Sequence, residues 1–238
     1  MQISAITSRL LAAARNAHAR GRSPLVVLDL DGTLYASTVR TWRILQEFAH
    51  RYATRHPRFV AAMAHLRVED VTYLVEDTLA RVGFEDESVL DDVRAFWNER
   101  FFTDEYVLHD LPTPGAVEFV RGLWAGGIVP IYLTGRPAPT MLIGTVRALQ
   151  RDGFPVGTGN TRLVLKEDSR TPDDEYKKRV ASHLEEGGEV VGAFDNEPGL
   201  CNLFRRSFPD ALVVHLATTH SPGAPDLDPG VEQVPNFL

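Results

Sequence analysis

Apolar residues fall along the chain in two patterns. Short unbroken runs cover Leu25 to Leu30, Ile128 to Leu133, Arg162 to Leu165, Val190 to Phe194 and Ala211 to Leu216. Runs of this length without alternation predict strands covered on both faces, as in a parallel sheet. Between them the period lengthens to that of helices. Thr113-Pro114 offers an N-cap and a first-turn proline to a segment whose apolar side is Val117, Val120, Leu123 and Trp124, closed by Gly126-Gly127. Thr171-Pro172-Asp173-Asp174 opens a second helix, ended by Gly187-Gly188, and Glu197-Pro198 opens a third that buries Leu200, Leu203 and Phe204.

Strands alternating with helices predict an α/β fold, a three-layer Rossmann-like and mostly parallel sheet. One interval breaks the alternation. From residue 37 to 109 no strand run occurs, but Trp42, Leu45, Phe48 and Tyr52, then Val71, Leu74, Val75, Leu79 and Val82, then Val89, Val93, Phe96 and Trp97 form helical stripes. A structureless loop of that length is rare in a compact domain, so the pattern predicts an all-helical insertion after the first strand. The chain thus divides into a core, 1–36 and 110–238, and a helical unit, 37–109.

The first segment spaces Ile3, Ile6, Leu10, Leu11 and Ala14 as an amphipathic helix, and its arginines interrupt any signal-peptide core. No run approaches the roughly 18 apolar residues of a membrane span. From Ser221 onward the chain is rich in proline and glycine without periodicity, which predicts irregular packing.

Composition narrows the partners. A 238-residue chain with 44% hydrophobic residues sustains a sizeable core, and a net charge of −7 argues against a nucleic-acid backbone as partner. The single cysteine, Cys201, lies in the apolar stretch LCNLF and reads as a buried thiol, consistent with a reducing, cytoplasmic setting and no membrane. Lysine is confined to Lys166, Lys177 and Lys178.

In an open parallel sheet, ligands gather at the carboxyl ends of the strands. Those ends carry Asp29 and Asp31, then Thr134-Gly135-Arg136, Lys166, Asp195-Asn196-Glu197, and Thr218-Thr219-His220. A carboxylate can attack phosphorus to give an aspartyl-phosphate, while a second acid protonates the leaving oxygen and then activates water. Crowded anions need a cation. Mg²⁺ suits Asp29, the Asp31 carbonyl and Asp195, with a lysine screening nucleophile and phosphate. Backbone N–H groups at Gly32 and Thr33, and the Thr134 hydroxyl, are placed to bind phosphate oxygens. Arg136 reads either as an anion-binding group or as an ion pair at a helix start. In the insertion, Arg40, Arg43, Arg51, Arg55 and Arg58 face one acid, Glu47, which suggests local attraction of an anionic substrate.

The sequence resembles the haloacid dehalogenase superfamily. VVLDLDGTL matches its first motif, IYLTGR its second and AFDNEP its fourth. The resemblance implies Asp29 as nucleophile and Asp31 as general acid/base, with Thr134 and a lysine stabilising the transferring group. Lys177 follows Tyr176 as in the aromatic-lysine pair of some members, with Lys178 and Lys166 as alternatives. Phosphate binding would then fall to Gly32, Thr33, Thr134, Gly135, Arg136 and Lys177, and metal binding to Asp29, Asp31 and Asp195. The expected cofactor is Mg²⁺ and the expected partner a small phosphorylated substrate. The fourth motif departs from the family in having Asn196 and Glu197 after Asp195. The helical unit matches the commonest position of the family's cap. Retention of Asp31 favours a phosphatase over carbon–halogen hydrolysis, because a halide needs no proton. A phosphomutase or phosphotransferase, and a non-catalytic phospholigand-binding regulator, are the alternatives.

Overall fold

A computed structural model describes residues 3–238. Helix α1 (Ile3–Ala19) precedes strand β1 (Pro24–Leu28), whose five residues are all buried. A short ribbon strand β2 (Tyr35–Ala36) leads into α2 (Thr38–Arg51), α3 (Pro57–Met63), α4 (Val75–Arg81), α5 (Glu87–Phe101) and α6 (Asp104–Val107). Strand β3 (Leu111–Pro112) pairs antiparallel with β2, so the chain leaves and re-enters the sheet domain through one two-stranded ribbon. There follow α7 (Ala116–Ala125), β4 (Val129–Pro137), α8 (Ala138–Asp152), β5 (Arg162–Lys166), α9 (Asp173–Leu184), β6 (Glu189–Asp195), α10 (Pro198–Ser207), β7 (Leu212–Leu216) and β8 (Glu232–Val234).

The six long-range strands form one parallel sheet in the order β5-β4-β1-β6-β7-β8. Alternate residues of β1 feed opposite cores. Val26 and Leu28 pack with α1, α7 and α8, while Leu25 and Val27 pack with α9 and α10. This is why the run is continuously apolar instead of alternating. Ile6, Leu10, Ala14 and Ala17 dock α1 on the sheet, and Cys201 is buried. No described helix is long and apolar enough to cross a membrane.

The insertion has its own apolar cluster, including Leu45, Phe48, Phe59, Leu79, Val93 and Phe96, separate from the two that cover the sheet. Helix α6 instead packs against α8, where Gly144 lies directly on the Asp104 backbone.

Three elements were not foreseen. Helix α8 follows the TGRP stretch directly, opening on prolines and ending at the left-handed Gly153. The ribbon of β2 and β3 is too short to leave a pattern. The third corrects the expectation of an irregular tail. Within it, β8 pairs in parallel with β7, and Gln233 is held there by His215.

Candidate active site

Leu28 aligns with Tyr132 of β4 and with Phe194 of β6, which brings Asp29, Thr134 and Asp195 to the same carboxyl edge. The first strand is thus flanked on both sides before the order reverses, the position at which α/β sheets open a crevice. A cavity of about 1010 Å³ lies over it, walled by the sheet edge below and the insertion above.

Lys177, from α9, closes the floor. Its Nζ donates to Asp29 Oδ1 at 2.6 Å and to Asp195 Oδ2 at 2.8 Å, all three groups being buried. Burial opposes its charge, but Asp195 and Asp29 outweigh that and hold the ammonium protonated. One monocation for two carboxylates leaves a deficit. Burial pushes the Asp29 carboxyl up to about 7, only partly offset by Lys177 and reinforced by Asp195. Lys178 is exposed and Lys166 pairs with Asp173 at 2.5 Å, so of the three lysines Lys177 is the one on the two aspartates.

The donors fit a hard divalent cation. Asp29 Oδ2 receives no donor from the described residues, and the nearby Asp195 carboxylate offers further oxygens of the kind such a cation takes. Of Asp31, only the backbone carbonyl is left to serve such a cation. Its carboxylate is taken up elsewhere, and no group of three or more His, Cys, Asp or Glu side chains converges among the described residues.

Asp31 is gripped by two arginines. Arg136 donates through Nε and Nη2 at 2.7 and 2.8 Å, and Arg40 through Nη2 at 2.7 Å. Burial would raise this carboxyl, but the Arg136 and Arg40 guanidiniums hold it well below the usual carboxylate range. Both arginines also bind Asp110, Arg40 through Nε at 2.9 Å and Arg136 through Nη2 at 2.8 Å. Two acids and two bases therefore form a quartet, buried except at Asp31, which borders the cavity. Asp31 and Arg40 lie where the chain enters the insertion, and Asp110 where it returns.

This corrects two expectations. Arg136 is the ion pair of the two readings, its guanidinium engaged by Asp31, Asp110 and Thr145 and not turned to a substrate anion. Arg40 is 0% exposed, and none of Arg40, Arg43, Arg51, Arg55 and Arg58 lines the cavity. Charge patterning suggested that Arg40 helps attract an anionic substrate, and its burial against Asp31 and Asp110 overrides that reading. Asp110 was missed because a lone acid between Leu108 and Leu111 carries no motif.

The DGT turn needs a further correction. Gly32 N–H donates to Tyr35 O at 2.8 Å and Thr33 N–H to Leu30 O at 3.2 Å, so both amides are consumed within the turn. The N–H groups of Leu30 and Asp31 receive no partner among the described residues. Gly32 has φ +79°, and a Cβ there would meet Asn196 Nδ2 at 2.4 Å. Asn196 is the post under the turn: it accepts from the Thr33 hydroxyl at 3.2 Å and donates to Thr219 O at 2.7 Å. Glu197 is equally committed, accepting from Ser221 N–H at 2.9 Å. Both side chains are thus engaged in local contacts that brace the turn and the β7 end. Gly135 borders the cavity with the Asp173 carboxylate lying where its Cβ would stand, and the Thr134 hydroxyl accepts from Arg136 N–H at 3.3 Å. His220 is exposed and outside the cavity lining.

Scans against protein-family models and curated proteins found no match. Among solved structures, a candidate phosphatase from Clostridium difficile aligns with a TM-score of 0.54 at 12% identity, covering 85% of this chain and 89% of its own. A candidate haloacid dehalogenase-like hydrolase from Burkholderia xenovorans aligns with a TM-score of 0.54 at 14% identity, covering 91% and 94%. The fold is haloacid dehalogenase-like. This chain also spans 59% of a class C acid phosphatase from Bacillus anthracis, at 17% identity and a TM-score of 0.42, too low to extend the comparison.

On this haloacid dehalogenase-like sheet, Lys177 ties Asp29 at the end of β1 to Asp195 of β6. Lys177→Met is expected to lower stability by about 2–3 kcal/mol, less than a fully trapped charge pair would cost, because Asp29 can take up a proton in relief. Urea unfolding checks this. An unchanged midpoint would show that the lysine does not compensate the two acids.

Proposed function

We propose that the protein is a Mg²⁺-dependent phosphomonoesterase that works through an aspartyl-phosphate. The observation that carries this reading is the Lys177 bridge between Asp29 and Asp195 on the floor of the cavity. A structural ion pair has no reason to sit at the one sheet edge where a cavity opens, with a carboxylate oxygen left unpartnered.

Asp29 and Asp195 side chains and the Asp31 carbonyl would hold the metal. Bound there, Mg²⁺ supplies positive charge that offsets the carboxylates and the phosphoryl oxygens. Asp29 attacks phosphorus, forming the Asp29 O–P bond as the ester P–O bond breaks. Lys177, the Thr134 hydroxyl and the free amides of Leu30 and Asp31 take up the charge on the transferring group. In the second half, water attacks the same phosphorus and releases Asp29.

Asp31 moves one proton, to the leaving oxygen first and from the attacking water afterwards. As held by Arg136 and Arg40 it is ionised, the state that the second half requires. The first half requires a proton on Asp31, taken from solvent through the cavity against the pull of Arg136 and Arg40, and the attacking water restores that proton in the second half. The helical unit, 37–109, acts as a cap over the cavity and carries Arg40, one of the two cations that hold Asp31.

The test is phosphate release from a panel of phosphate esters with and without Mg²⁺. Release that needs the metal, is lost on chelation and returns on its re-addition is expected. Equal release in chelator would overturn the metal-dependent mechanism.

A further inference from the structure

The cavity is far larger than a phosphoryl group, and its upper wall has a distinct chemistry. Phe102 and Tyr73 line it while 41% and 53% exposed, beside Leu74, Trp97 and Phe101. Apolar side chains left open in a concave site, and not scattered over a convex surface, mark a binding face. The rings are fixed in advance. Trp97 stacks on Phe101 with centroids 4.3 Å apart, Phe102 meets Phe101 edge-on at 5.0 Å, and the Trp97 indole N–H is already satisfied by Thr41 Oγ1 at 3.1 Å. What this array offers a ligand is ring surface.

Charge points the same way. Seven acidic and five basic side chains line the cavity. All five cations are engaged: Lys177 and Arg136 as described, Arg94 on Glu76 and Asp91, Lys166 on Asp173, and Arg206 on Asp228. Away from the floor of Asp29, Asp31 and Asp195, the acids Glu76, Asp173, Asp174 and Glu197 face three cations that are each already paired, Arg94, Lys166 and Arg206, so a second anionic group on the substrate would find no unpaired cation among the described residues of that wall. An apolar group would lose nothing.

We propose that the alcohol released by this site is uncharged and carries an aromatic ring, which Phe102, Tyr73 and Trp97 of the insertion hold above Asp29; this rests on the phosphomonoesterase reading. Sugar bisphosphates and phosphorylated carboxylic acids are correspondingly poor substrates.

The test compares three esters on a common two-carbon skeleton, so that the reacting end stays the same: ethyl phosphate, phenethyl phosphate and phosphoglycolate, each with Mg²⁺. Phenethyl phosphate is expected to exceed ethyl phosphate about 100-fold in kcat/KM, with phosphoglycolate no better than ethyl phosphate. Phe102→Ala is expected to cut the phenethyl-to-ethyl ratio about tenfold, and circular dichroism checks that this exposed-side-chain variant is folded. Turnover of ethyl phosphate with a ratio near one, or a preference for phosphoglycolate, would overturn the assignment and leave the phosphatase reading standing. If none of the three is hydrolysed, that reading fails by itself. Calorimetric binding of phenethyl phosphate that weakens in Phe102→Ala would then still support the aromatic site, and absence of binding would overturn both.

Discussion

Asp29→Asn is expected to abolish phosphate release, by about 10⁴-fold or more, while leaving the protein as stable as before or slightly more so. The amide keeps the size of the side chain and its contact with the β1 terminus, but it cannot form the covalent intermediate. Stability moves the other way because the native site is overcrowded with negative charge. Asp29 and Asp195 share one ammonium in a buried position, and burial together with Asp195 raises Asp29 to about 7. Neutralising position 29 leaves Lys177 paired to Asp195 alone, a balanced pair. The two readouts are single-turnover phosphate release and the urea midpoint. Retained turnover would remove Asp29 as nucleophile. A large stability loss with lost turnover would show that the carboxylate is structural. A functional residue that costs stability is a common trade-off at active sites.

Asp110→Asn is expected to show the opposite balance. Arg40 and Arg136, both essentially without solvent contact, share Asp31 and Asp110 in a two-against-two arrangement. Removing one carboxylate charge leaves two buried guanidiniums on Asp31. Breaking a buried ion pair from one side costs about 3–5 kcal/mol, because the orphaned charge cannot reach water. For a chain of this size that corresponds to a fall in Tm of about 10 °C. Scanning calorimetry checks it. A shift of under about 2 °C would mean that the arginines re-pair or hydrate, and that the quartet does not hold the two crossings together. Because Asp110 lies outside the cavity lining, a normal KM with reduced kcat would place its effect on Asp31 and not on substrate binding.

Much of this was legible before any coordinates. The continuous apolar runs gave the parallel sheet because β1 is covered on both faces, and the helical stripes gave the insertion because its helices have a core of their own. Asp29, Thr134 and Asp195 were readable for a simple reason: each stands at or next to the end of a strand, and strand ends of a parallel sheet share an edge. Lys177 was chosen by motif from three lysines, and only the turn of α9 shows that Lys178 points away. The misreadings have one origin. Sequence shows which charges exist but not which are already spent. Arg136 and Arg40 looked available to an anion, and the Gly32 and Thr33 amides looked free, until their partners at Asp110, Tyr35 and Leu30 were placed. Strand β8 was hidden because proline and glycine flank three residues that gain their order only from β7.

The quartet at the two crossings also bears on modularity. Residues 37–109 look like a cassette that could be exchanged between relatives to change substrate choice, since the helices carry their own core and join the sheet domain through one ribbon. Electrostatically the seam lies elsewhere. Arg40 belongs to the cassette, but Asp31, Asp110 and Arg136 stay behind, so a grafted insertion without an arginine at that position would leave two acids on one base. A working chimaera has to carry that arginine across or splice beyond it.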